Sequence, residues 1–152
     1  MSASTPDPPG APPLPRGRTI RLPDRGELFV REVGRPRAGQ PSLLLLHGWT
    51  ATADLNWFTC YEALGETYRV VALDHRGHGH GIRSRSPFTI EDCADDTVAV
   101  CDQLGIDRFV AVGYSMGGPI AQLIWRRHPE RVRGLALCAT APYFLTSREE
   151  KL

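Results

Sequence analysis

The sequence predicts an α/β domain on a mostly parallel, doubly wound sheet of about six strands, with an antiparallel N-terminal edge and flanking helices. Three observations carry this. Leu43-Leu44-Leu45-Leu46 and the stretch 69–73 are short apolar runs, as strands buried on both faces must be. Such runs then alternate with stretches of helical periodicity, the order of parallel strands joined by crossover helices. Finally, Phe109-Val110-Ala111-Val112 leads into Gly113-Tyr114-Ser115-Met116-Gly117, a β-rich run followed by a glycine-flanked serine and a helical pattern.

The elements follow in order. Residues 18–22 and 27–33 read as two strands joined by a turn at Pro23-Asp24-Arg25-Gly26. After the loop 36–41 comes the Leu43–Leu46 strand, which stops at His47-Gly48-Trp49. A helix is expected over 54–66, with Leu55, Phe58, Tyr61 and Leu64 on its buried face. The strand at 69–73 opens into the glycine-spaced loop Asp74-His75-Arg76-Gly77-His78-Gly79-His80-Gly81. Thr89, with Asp92 three residues on, is a candidate helix cap. The helix behind it should bury Ile90, Ala94, Val98 and Cys101 and stop at Gly105. The strand at 108–113 follows, then a helix with Pro119 in its first turn and Pro129 at its end. A last strand is expected at 132–139.

Composition narrows the function. A length of 152 residues suits one modest core. With 18 basic and 17 acidic residues the net charge is +1, which argues against nucleic acid or an anionic membrane as partner. No apolar run is long enough to span a membrane. The stretch 1–17 is rich in proline, lacks a signal-like apolar region and reads as a disordered tail. The four cysteines, Cys60, Cys93, Cys101 and Cys138, show no Cys-x-x-Cys spacing. Cys93 and Cys101 would lie on one helix roughly 12 Å apart, too far for a disulfide. Reduced, buried thiols in a cytoplasmic protein are expected.

Gly-x-Ser-x-Gly occurs by chance in roughly 5% of chains this long, so its context decides. A sharp strand-to-helix turn has no space for a Cβ at Gly113 or Gly117. It sets Ser115 at a helix N-terminus, where free N–H groups favour a developing oxyanion. Other chemistries fit less well. His75, His78 and His80 alternate as chelating histidines can, but a solvated glycine-spaced loop explains them, and no metal is expected. Gly77-x-Gly79 lacks the third glycine of a dinucleotide fingerprint, and Gly118 is followed by Pro119 rather than the lysine of a phosphate loop. The expected chemistry needs no cofactor.

Three motifs together resemble the α/β-hydrolase family: His47-Gly48-Trp49, Asp74-His75-Arg76-Gly77-His78-Gly79, and Gly113-Tyr114-Ser115-Met116-Gly117. The resemblance covers the N-terminal half of that fold, a partial core at 18–145. It implies a sheet lacking the family's last two strands, with 146–152 approaching a cap region. It implies that Ser115 is the nucleophile and that the N–H groups of Trp49 and Met116 form an oxyanion hole. His47, Gly48, Asp74, Gly77, Gly79, Gly113 and Gly117 would be structural. His80 stands where many members carry Ser. The implied reaction is acyl transfer from a small ester or related carbonyl substrate to water.

In that family an acid and then a histidine follow the serine. Here the later acids are Glu130, Glu149 and Glu150, and the only later histidine is His128. A helix would hold His128 roughly 20 Å from Ser115, beyond the reach of a general base. A chain ending before its acid and base, weakly active or inactive alone, is therefore expected. The alternative is a non-catalytic remnant that binds or self-associates through an open edge at the last strand.

Overall fold

The computed structural model describes residues 13–141, so 1–12 and 142–152, with most of the expected tail and the expected cap approach, lie outside the described residues. β1 (Gly17–Leu22) and β2 (Gly26–Val33) form the antiparallel edge. They are followed by β3 (Ser42–Leu46), α1 (Ala53–Trp57), α2 (Tyr61–Gly65) and β4 (Val70–Leu73). Then come α3 (Ile90–Gln103), β5 (Phe109–Tyr114), α4 (Gly117–Arg127) and β6 (Val132–Cys138). The six-stranded sheet has the order β1-β2-β4-β3-β5-β6. β2 meets β4 antiparallel, and β4, β3, β5 and β6 run parallel.

The apolar runs are explained by burial on both faces. Leu44, Leu46, Val71, Leu73, Phe109 and Ala111 face one core, with Ala94 and Val100 of α3 and Ile120 and Ile124 of α4. Their strand neighbours Leu43, Leu45, Val70 and Ala72 face a second core with Ala53, Trp57 and Tyr61. With a side-chain period of two, no position from Leu43 to Leu46 or from Val70 to Leu73 is left for a polar residue. Within the expected tail, Leu14 packs against the second core and the Pro15 carbonyl accepts from Arg31 Nη1.

Three expectations need correction. The helix expected over 54–66 is two short helices, broken where the Cys60 N–H turns back to the Trp57 carbonyl. Ala53, Trp57 and Tyr61 face the sheet, while Leu55 is 65% and Phe58 43% exposed. The break rotates the second segment, and the Asp54 carboxylate, paired at both oxygens with Arg31, turns that side of α1 outward. In α3 the buried stripe is Cys93, Ala94, Asp96, Thr97, Val100 and Cys101, with Ile90 and Val98 only partly covered. Asp96 is drawn inward by two guanidinium groups: Arg76 at 2.8 and 2.9 Å and Arg25 at 2.7 Å. The thiols are all free, but only Cys93 and Cys101 are buried; Cys60 is half-buried, and Cys138 is exposed on the edge strand. Burial pushes the Cys93 and Cys101 thiols up to about 12, which makes both unreactive at neutral pH.

The helix ends match their sequence signals. Thr89 and Asp92 cap α3 reciprocally, each side chain bonding the other's backbone N–H. Gly105 takes φ +63° just past its end. Pro119 is buried in the first turn of α4, and His128 caps its end before Pro129.

Candidate active site

In the parallel register Leu46 lies beside Leu73 on one side and Gly113 on the other. The loops after β3, β4 and β5 therefore leave the same carboxyl edge of the sheet, where ligand crevices form in open α/β folds. His47, Asp74 and Ser115 stand at those strand ends.

Ser115 has φ +51°, left-handed backbone that a non-glycine residue adopts at about 1–3 kcal/mol of strain. The turn is held from several directions. The Ser115 N–H donates to the Cys138 carbonyl at 3.0 Å. The Ser115 carbonyl accepts from the Gly118 N–H at 2.9 Å and from Thr140 Oγ1 at 2.7 Å. A Cβ on Gly113 would collide with the Gly117 backbone, and one on Gly117 with the Leu46 carbonyl. These glycines let β5, α4 and β3 close on the serine. Among the described residues Ser115 Oγ has no hydrogen-bond partner, and neither do the N–H groups of Trp49 and Met116. His128 is at the far end of α4, with Nδ1 3.9 Å from Glu130 Oε1.

The neighbouring loops are organised from beneath. Asp74, 3% exposed, accepts the Ala53 N–H on Oδ1 and the His80 N–H on Oδ2, both at 2.8 Å. Gly79 sits so close to that carboxylate that a Cβ there would displace it. Gly77 has φ +79° and faces the Phe88 ring. The buried His47 ring contacts those of His75 and His78, at centroid distances of 4.4 and 5.2 Å. Trp49, His78 and Phe88 meet as an aromatic wall at the mouth of the loop. Among the described residues no group of side chains could hold a metal ion.

His47 and His75 are neutral. Burial holds His75 well below its ordinary 6.5, and the adjacent His47 and His78 rings push the same way. Burial also lowers His47, against a raising effect from its hydrogen bond to Gly48. Among the described residues neither ring nitrogen of His75 has a partner. As pH falls through about 6.5, the unfolded chain gains protons that the folded rings refuse. Stability is thus full above that pH and declines below it until the folded-state values are passed. Each ring contributes at most about 1.4 kcal/mol per pH unit. His75→Leu should make the decline shallower, as read from urea midpoints at about pH 5 and 7.5. An unchanged pH dependence would exclude His75 as a source.

Sequence reasoning missed three supporting residues. Asn56 binds the Gly48 N–H, Asp96 binds Arg25 and Arg76, and Thr140 binds the Ser115 carbonyl. Asp96 left a signal: it lies three residues after Cys93 and four before Val100, inside a buried stripe. Asn56 is a weak helix former inside a short helix, a faint signal. Thr140 left none.

Comparison with known proteins agrees with this geometry. A family model described as alpha/beta hydrolase fold matches residues 41–151. The AB hydrolase superfamily protein YisY of Bacillus subtilis is 30% identical over 130 residues, covering 84% of this chain and 47% of that protein. A non-heme chloroperoxidase of Streptomyces lividans is 32% identical over 126 residues, covering 82% of this chain and 45% of that protein. The enol-lactonase of Burkholderia xenovorans LB400 superposes with a TM-score of 0.76 at 31% identity, over 83% of this chain and 48% of its own. The chain spans less than half the length of these relatives. With a mixed sheet of matching topology, a serine turn at the end of β5 and a family match over most of its residues, the chain belongs to the α/β-hydrolase fold family.

Proposed function

We propose that Ser115 is the nucleophile of an acyl transfer to water. Its Oγ attacks the carbonyl carbon of a small ester, lactone or related substrate. The carbonyl oxygen takes the electron pair and is held by the N–H groups of Met116 and Trp49. As the electron pair returns from that oxygen the bond to the leaving group breaks, the departing alcohol takes up the proton given up by the Ser115 hydroxyl, and water then releases the acyl group. The observation that carries this reading is the left-handed Ser115, locked by Cys138, Gly118 and Thr140 and backed by glycines that admit no Cβ. The unpartnered Met116 and Trp49 amides support it, as does the hydrolase family. Relatives named as a chloroperoxidase and an enol-lactonase set the substrate class no more narrowly than this. The reading is of a cytoplasmic enzyme without metal or cofactor; among the described residues no helix is long and apolar enough to cross a membrane.

The proton acceptor and its acid partner are not among the described residues in this reading, since no described imidazole bonds Ser115. Residues 1–152 alone should therefore hydrolyse p-nitrophenyl acetate slowly. Oxyanion stabilisation without a complete triad leaves at most about 10³–10⁴-fold over water. Brisk turnover abolished by Ser115→Ala would show that the base lies within these residues.

A second reading, a non-catalytic module that pairs with a copy of itself, is favoured by β6. This edge strand leaves Leu137 45% exposed. Sedimentation velocity separates the two: a dimer with no Ser115-dependent turnover supports the module, and a monomer excludes it.

A further inference from the structure

Asn56 lies in α1 and does not reach the serine through any hydrogen bond of its own. Its Oδ1 instead accepts the Gly48 N–H at 2.8 Å. The carbonyl of the same glycine is also held, 2.7 Å from His47 Nδ1. The direction of that bond is determined. His47 Nε2 accepts the His75 N–H at 2.9 Å, so the single proton of the neutral ring sits on Nδ1 and is donated to Gly48. Gly48 is thus clamped on both sides, by a side-chain acceptor from α1 and a side-chain donor from His47, just past the end of β3.

The consequence falls on the next residue. A trans peptide is planar, with its C=O and N–H on opposite edges. No cis bond occurs among the described residues. Holding the Gly48 carbonyl against the His47 ring therefore turns the Trp49 N–H to the opposite edge. Gly48 itself lies on the elbow: a Cβ there would stand 3.1 Å from Ser115 Cβ. Thr50, just beyond, has φ +54°, so the loop is bent rather than relaxed and needs holding.

The clamp also closes on itself. The first N–H of α1, that of Ala53, donates to Asp74 Oδ1 at 2.8 Å, and Asp74 immediately precedes the His75 whose N–H sets the His47 tautomer. The end of β4 thus holds both jaws, α1 through the carboxylate and the imidazole through the next amide.

We propose that Asn56 is a positioning residue of the acyl-transfer site: by holding the Gly48 N–H it fixes the peptide before the Gly48 Cα, His47 Nδ1 fixes the one after it through the Gly48 carbonyl, and the two together aim the Trp49 N–H at the oxyanion. This rests on Ser115 being the nucleophile. The role is one of aim, so it should be read on the Trp49 amide and on oxyanion binding rather than on folding alone.

Phenylboronic acid tests it on residues 1–152. The Ser115 hydroxyl adds to the trigonal boron and loses its proton to the solvent, giving a tetrahedral anion that mimics the oxyanion. In ¹⁵N-resolved spectra the Trp49 amide should move downfield on adduct formation. Asn56→Ala should weaken binding about tenfold or more and remove that movement, the effect of one misaimed donor. Asn56→Asp, which keeps an acceptor oxygen, should restore both. Equal affinity and an equal Trp49 shift in Asn56→Ala would overturn the proposal. An adduct that leaves the Trp49 amide unmoved in the unsubstituted chain overturns it too, with Ser115 still standing. No adduct at all, or one that survives Ser115→Ala, overturns the reading of Ser115 itself. A variant-free measurement decides the case should Asn56→Ala not fold. Amide hydrogen exchange in the unsubstituted chain should show Gly48 protected and Trp49 fast, and the reverse order is fatal.

Discussion

Gly117→Ala should destabilise the fold by about 3 kcal/mol or more, an effect at the upper end for one methyl group. The added Cβ would run into the backbone carbonyl of Leu46, at the end of β3. Neither partner is the tip of a flexible side chain. Gly117 opens α4, and Leu46 is fully buried between β4 and β5. Relief requires α4 to lift from the sheet, which would draw Ile120 and Ile124 out of the core and loosen the Ser115 turn. Gly134→Ala is the control. Its nearest atom is Val110 Cγ2 at 3.8 Å and it lies in a strand, so the change should be neutral or slightly stabilising. Urea titration of both variants checks the contrast, and a similar small shift for each would mean that α4 does not approach β3 so closely.

Asp96→Ala should cost about 3–5 kcal/mol, the range for removing one partner of a buried ion pair. The Asp96 side chain is 2% exposed, and its partners Arg76 and Arg25 are 13% and 28% exposed. The deletion would leave two largely covered guanidinium groups facing a void. Arg25 belongs to the β1–β2 turn and Arg76 to the loop after β4, so Asp96 ties both to α3. Asp96→Asn keeps an acceptor and should lose less. A loss under about 1 kcal/mol for the alanine variant would show that the pairs are solvated and weak.

Much of this molecule was legible in its sequence because local chemistry set it. Leu43–Leu46 read as a strand covered on both faces, and Thr89 with Asp92 read as a cap. Gly113 and Gly117 around Ser115 announced a turn too tight for side chains. The misreadings came where a distant partner intervened. The register of α1 and α2 depends on Arg31 gripping Asp54, and the buried face of α3 depends on guanidinium groups contributed by Arg25 and Arg76. An acid on an amphipathic helix reads as solvent-facing until those cations are in place.

The sequence by itself determined the strand and helix order, the turn that carries Ser115, and the family to which the motifs point, because each rests on neighbours a few residues apart. Only the tertiary structure decided which groups surround that serine. The clamp of Asn56 and His47 on Gly48, the bond from Thr140 to the Ser115 carbonyl, and the burial of Asp96 each join residues from separate elements. Hydrogen bonds of this kind form only when the strands have set their loops along one edge, and no local pattern encodes that distance.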